Sequence, residues 1–141
     1  METEGLFTPA TAAEARDRYE RLGSTAQVVV KETARAMELS TETYRERVTS
    51  EVIETARDAL FASMLEVTVA DRAAFEEWLE DHPDYEVIEH GSEHVDNVVW
   101  HAAPAAETVV AATYQDERRA AVETLRRQAF GAVYRDLLEG D

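Results

Sequence analysis

The sequence contains no cysteine and, among its 141 residues, a single lysine, Lys31. Without cysteine there is no disulfide framework, no thiolate zinc site and no cysteine nucleophile. No apolar run approaches the roughly 18 residues that a membrane-spanning helix needs. The acidic start, at Glu2 and Glu4, is unlike the basic and apolar regions of a secretory leader. We therefore expect a cytoplasmic protein with no membrane partner.

Acidic residues greatly outnumber basic residues in the chain. The chain has 30 acidic and 14 basic residues, a formal net charge of -16, and a pI near 4.5. Residues 64–115 have Arg72 as their single base. In molar salt, electrostatic screening acts over about 3 Å, so the self-repulsion of this surplus costs little and the charge keeps the protein dissolved. The composition predicts a salt-adapted protein with hydrated cations on its acidic surface.

Hydrophobic residues make up 45% of the chain, which predicts a folded domain rather than a disordered acidic tail. The length is that of one domain over residues 1–141. The apolar periodicity divides it into a helical part at 1–63 and a β-α-β-β-β-α part at 64–141. Helices are predicted over about 11–22, 24–37, 40–63, 72–81 and 116–138, and strands at 65–69, 85–90, 97–102 and 108–114.

Three consecutive strands with short connections predict an antiparallel meander. The expected fold is therefore α+β in two layers, with helices covering one face of the sheet. It has three N-terminal helices, a small and mainly antiparallel four-stranded sheet, and a long C-terminal helix. In the helix at 40–63, the three-to-four spacing places Val48 and Val52 on the inward stripe and turns Ile53 away from it.

Three segments have the pattern of a known family: RERVTSEVIETARDALFASMLEV, NVVWHAAPA and LRRQAFGAVYRD. Over nearly its whole length the chain resembles a haloarchaeal family of uncharacterised proteins, a domain of unknown function. The resemblance implies a halophilic archaeal source and a small cytoplasmic protein, in agreement with the charge. It implies no activity, cofactor or catalytic residue.

The segment ETARAMELSTETYRERV, at residues 32–48, resembles the helix-turn-helix pattern of bacterial and archaeal regulators. In that pattern Ser40 caps a recognition helix that enters the major groove of DNA. Glu38 replaces the usual turn glycine, which adopts positive φ more easily. Two ordinary packed helices joined by a serine-capped turn are the alternative explanation. The side chains that would face DNA are Thr41, Glu42, Arg45 and Thr49.

Three histidines lie in or beside the connection between the second and third predicted strands, with carboxylates among them. Two or three imidazoles and a carboxylate form a set that binds Zn²⁺, Ni²⁺ or Cu²⁺. Gly91 and Ser92 interrupt the set, so it lies on a loop rather than on a helix. Solvated histidines on an acidic hairpin are the alternative. The candidate ligands are His90, His94 and His101.

The sequence has no phosphate-binding glycine loop and no nucleophile elbow, so we expect no cofactor and favour a non-enzymatic role over an enzymatic one. The helices at 40–63 and 116–138 are apolar on more than one side, which favours association with a protein, most simply a second copy in a twofold dimer. The alternative is that the first two helices cover this apolar surface within one chain. The first functional hypothesis is therefore a non-enzymatic interaction or self-associating module. The second is a DNA-binding regulator using residues 32–48. The third is a metal-binding protein or enzyme around the three histidines.

Overall fold

A computed structural model describes residues 1–139 of the chain as a mixed α+β fold. Within these residues, no helix is both long enough and apolar enough to cross a membrane. A π-helical turn, Phe130–Tyr134, joins the last two helices. The strands are β1 (Glu2–Glu4), β2 (Val67–Asp71), β3 (Glu86–His90), β4 (Asn97–Ala103) and β5 (Thr108–Tyr114), and the helices are α1 (Ala12–Arg21), α2 (Gly23–Ala36), α3 (Thr41–Arg47), α4 (Ser50–Ser63), α5 (Arg72–Asp81), α6 (Arg118–Ala129) and α7 (Arg135–Glu139).

The sheet has five strands in the order β1-β2-β4-β5-β3. The sheet is mainly antiparallel as predicted, with three antiparallel pairings and one parallel pairing, but the predicted strand number and the meander are wrong. Strand β1 was missed because its sequence, ETE, has no apolar alternation; Arg118 holds it in place through salt bridges to Glu2 and Glu4. Strand β3 pairs in parallel with β5 instead of continuing a meander, with Val87 opposite Val109. Its exposed glutamates suit a sheet edge, whereas the apolar β4 and β5 occupy the buried interior.

Helices cover both faces of the sheet, so the two-layer prediction is also wrong. On one face, Phe61 of α4 and Leu125 of α6 pack with Val99 of β4. On the other face, Phe75 of α5 packs against Trp100 of β4, with ring centroids 5.1 Å apart. Strand β4 is apolar on both faces, and burying both requires a helix on each side.

The predicted helix at 40–63 is two helices. Ser40 caps α3 as predicted, because its hydroxyl accepts the Thr43 N–H at 3.2 Å. Thr49 then caps α4 by accepting the Val52 N–H at 3.2 Å, which starts a new helix after residue 48. The break changes the orientation of the following residues, so Val52 is exposed and Ile53 is half-buried, the reverse of the predicted orientation.

Residues 23–53, which we call the helical arm, stand apart from the core. Neither of the two core clusters contains a described residue between 23 and 60. Where the arm meets the core, the Arg57 guanidinium lies 4.2 Å above the Tyr19 ring, and its Nε donates to the Tyr19 carbonyl at 2.8 Å. The Tyr19 hydroxyl donates to Asp58 at 2.6 Å. These contacts join α1 to α4 just outside the arm, and the exposed apolar side chains of the arm take no part in them.

Candidate functional site

The helical arm carries an apolar groove where α2, α3 and α4 meet. The groove has a volume of about 210 Å³. Small-molecule pockets usually have about 300–1,000 Å³, so this space suits one or two apolar side chains better than a cofactor. Its lining residues are Val29, Val30, Thr33, Ala34, Met37, Leu39, Arg47, Val48 and Val52.

Exposed hydrophobic side chains concentrate around this groove. Seven large hydrophobic residues are exposed within residues 1–139, and four of them belong to the arm. Met37 is 56% exposed, and Val52 is 43% exposed. A cluster of exposed apolar side chains marks an interaction surface, whereas scattered single ones do not. Of these four, Val29, Met37 and Val52 line the groove, whereas Val28 of α2 does not.

The charge of the arm differs from that of the rest of the chain. Residues 23–53 carry four basic and five acidic residues, a net charge of -1, which leaves -15 on the other residues. Lys31, the single lysine, lies here on α2. A second macromolecule, particularly another acidic one, therefore meets less electrostatic repulsion at the arm than over the acidic segment 64–115.

The turn between α2 and α3 has one backbone feature that the helix-turn-helix hypothesis requires. Glu38 occupies the glycine position of that pattern with φ +53°, in the left-handed region. Its N–H donates to the Arg35 carbonyl at 3.0 Å, which holds the turn. Three of the four predicted DNA-facing residues are exposed on α3: Thr41, Glu42 and Arg45. The fourth, Thr49, is half-buried as the cap of α4 and is not presented with them.

The structure does not bring the three predicted metal-ligating histidines together. His101 is fully buried within β4, whereas the His94 side chain is 88% exposed and His90 lies exposed at the end of β3. Among residues 1–139, no three histidine, aspartate or glutamate side chains are close enough together to hold a metal ion. Strand alternation explains this, because consecutive β4 residues point to opposite faces and His101 faces the α6 layer.

His101 instead belongs to a buried hydrogen-bonded pair that the sequence pattern did not reveal. Its Nδ1 lies 2.6 Å from the Glu66 carbonyl, which only accepts, so Nδ1 carries the proton. Its Nε2 therefore accepts the hydroxyl proton of Tyr134, 2.6 Å away in the π-helical turn. Burial, together with the positive charge of nearby Arg126, lowers the His101 pKa to about 4. The available signal was a histidine inside the apolar run NVVWHA, where burial demands a partner.

Arg126 is the second buried polar group of this region. Its Nε donates to the Leu65 carbonyl at 2.9 Å, and its Nη1 donates to Glu123 at 3.1 Å. Arg126 and His101 thus bind the carbonyls of Leu65 and Glu66, the two residues that lead into β2. Both nitrogens of His101 are occupied, which fits a structural role rather than an acid–base or ligand role.

The fold and the surface define an α+β domain whose five-stranded sheet lies between helical layers and whose helical arm exposes an apolar groove. The chain belongs to the family of unknown function DUF5809, whose model matches residues 6–135. This confirms the resemblance to an uncharacterised domain over nearly the whole length. No curated protein and no solved structure matches the chain.

Proposed function

We propose that this protein is a non-enzymatic interaction module that associates with a second copy of itself through the apolar groove of the helical arm. The observation that carries the proposal is the exposed apolar lining of that groove. Burial of apolar surface contributes about 25 cal/mol per Å², so covering these side chains favours association.

The position of the arm supports an interaction role. Residues 23–60 add nothing to the two core clusters, so the exposed valines and Met37 are not by-products of core packing. Surface hydrophobics that serve neither the core nor a partner add an aggregation hazard. We assign α2, α3 and the first half of α4 the role of forming this docking surface.

The charge distribution supports a second copy as the partner. Two chains of net charge -16 repel each other most strongly where their acidic segments approach. The helical arm, with a net charge of -1, offers the approach with little repulsion. A twofold arrangement brings the same patch of each copy together and closes the assembly at two chains.

The test compares two valines that are each 43% exposed, Val52 in the groove and Val87 on strand β3. Sedimentation velocity in molar KCl measures the mass of the unmodified chain, of Val52→Glu and of the control Val87→Glu. We expect dimers for the unmodified chain and for Val87→Glu, and a folded monomer for Val52→Glu. Equal masses for the two variants would contradict the proposal.

DNA binding through α3 is the second candidate function. The positive φ of Glu38 and the Ser40 cap, two features expected of a helix-turn-helix turn, favour it. The charges of α3 oppose it, because Glu42 and Glu46 accompany Arg45 and Arg47 on a helix of seven residues. Phosphate recognition depends on an excess of cations, so this candidate ranks below self-association.

A further inference from the structure

Met37, which is 56% exposed, is the most exposed large hydrophobic residue among those that line the groove of the helical arm. It follows the last residue of α2, and the left-handed Glu38 comes directly after it. Its long, unbranched thioether side chain adapts readily to irregular apolar spaces. An adaptable apolar side chain therefore stands beside an apolar cavity large enough to receive one or two side chains.

We propose that Met37 of each copy inserts into the groove of the other copy, against Val29, Val48 and Val52. This inference rests on the proposed function and specifies its geometry: each groove is incomplete until Met37 of the partner subunit fills it. The volume of about 210 Å³ matches this occupant better than it matches a drug-sized ligand.

The proximity of the projecting side chain and the cavity favours a twofold axis. Met37 and the groove lie on the same surface of the arm. A single twofold axis can therefore place Met37 of each copy in the groove of the other copy. A head-to-tail contact would leave one groove and one Met37 exposed at the ends, and would allow further copies to add. In the twofold dimer, both grooves and both Met37 side chains are buried.

The charges beside the groove complement this arrangement. Glu38 follows Met37 directly, and Arg47 lines the groove. Both residues are exposed, and neither forms a salt bridge within residues 1–139. Insertion of Met37 carries Glu38 toward Arg47 of the partner subunit, and the opposite signs attract.

The absence of cysteine makes a direct test of the contact available. Met37→Cys and Val52→Cys chains are prepared separately, mixed under mild oxidation and separated without reductant. A disulfide forms only where the two Cα atoms come within about 7 Å. We expect a covalent heterodimer of these two chains, and no comparable product when Val87→Cys replaces Val52→Cys.

A charge exchange between copies provides a second measurement that does not remove Met37. Glu38→Arg alone and Arg47→Glu alone place like charges at both contacts of their homodimers, so each should associate at least tenfold more weakly than the unmodified chain. Mixing the two variants restores opposite charges at both contacts, so the mixture should dimerise again. Contacts within one chain cannot produce this recovery. Arg45→Glu, on the exposed side of α3, is the control.

The outcomes separate the two proposals. A dimer that shows neither the specific cross-link nor recovery on mixing would overturn the insertion of Met37 while leaving self-association intact. A chain that is monomeric throughout the micromolar to millimolar range would overturn both. A cross-link between Cys variants at positions 37 and 52, with recovery on mixing, supports both.

Discussion

Tyr134 donates its hydroxyl proton to Nε2 of His101 across 2.6 Å, deep between strand β4 and the C-terminal helices. This contact ties the π-helical turn to the sheet. A π-helical turn shifts the register of the residues that follow it, and here the turn contains the tyrosine that pairs with His101. The pair is a structural link rather than a reactive site.

Removing the tyrosine hydroxyl should destabilise the protein. In Tyr134→Phe, the buried His101 Nε2 loses its donor, and an unsatisfied buried polar group costs about 1–3 kcal/mol. Urea unfolding in molar KCl measures the free energy of unfolding. Tyr114→Phe, at a residue half-buried beside the same core, is the control and should change stability less. Equal losses in the two variants would contradict the role assigned to this hydrogen bond.

The same residue predicts a pH dependence of stability. The His101 pKa is about 4 in the folded chain, against an ordinary value of 6.5. The unfolded chain therefore binds more protons between these values, and stability falls as pH decreases. The contribution is present above pH 6.5, and about 2 kcal/mol of it is lost between pH 7 and pH 5. Burial raises the pKa of Tyr134, so its hydroxyl stays protonated and adds no titration in this range.

Unfolding at pH 7 and pH 5 in molar KCl checks this prediction. His101→Gln, which removes the titrating group, should lose less stability over the same interval than the unmodified chain. An unmodified chain whose stability is unchanged or higher at pH 5 would show that His101 does not have a lowered pKa in the fold.

We propose that the acidic surface is an adaptation to salt, and this predicts a rise in thermal stability from low salt to molar KCl. Screening reduces the repulsion that residues 64–115 experience in the folded state. Replacing Glu76, Glu77 and Glu80 of α5, which are exposed, with glutamine should raise Tm at low salt and reduce its dependence on KCl. A Tm that is flat or falls across this range would refute salt adaptation.

The DNA-binding candidate predicts a salt-dependent interaction that Arg45→Ala weakens by about 1–3 kcal/mol if Arg45 contacts a base. Fluorescence anisotropy with a labelled mixed-sequence duplex, from low to molar KCl, measures it. Because α3 carries two glutamates, we expect no binding. Binding that Arg45→Ala reduces and that the control Arg35→Ala leaves unchanged would instead favour DNA recognition over self-association.

Much of the fold follows from local patterns. The helix starts predicted near residues 11, 40 and 72 are confirmed, because the side chains of Thr11, Ser40 and Asp71 each accept a backbone N–H within one helical turn. The strands of the β4–β5 hairpin were predictable from their apolar runs. Strand β1 was not, because three residues rely on partners more than 60 positions away, such as Val69.

The functional features depend less on local pattern. A groove forms only when α2 and α4 pack and leave space beside α3. The start of α4 depends on the Thr49 cap, a local hydrogen bond that competes with continuation of the preceding helix. The predicted metal site failed because strand pleating sends His101 to a buried face. The sequence of the turn between α2 and α3 was more informative. Glu38 stands where the helix-turn-helix pattern has glycine, and it adopts a positive φ.

The solution mass of the unmodified chain tests self-association through the groove most directly. Light scattering coupled to size-exclusion chromatography in molar KCl, over a series of loading concentrations, should give a mass approaching twice 15.8 kDa as the concentration rises. The groove is then a site completed by a second copy. A mass of 15.8 kDa at every concentration, in molar KCl as in low salt, would contradict self-association.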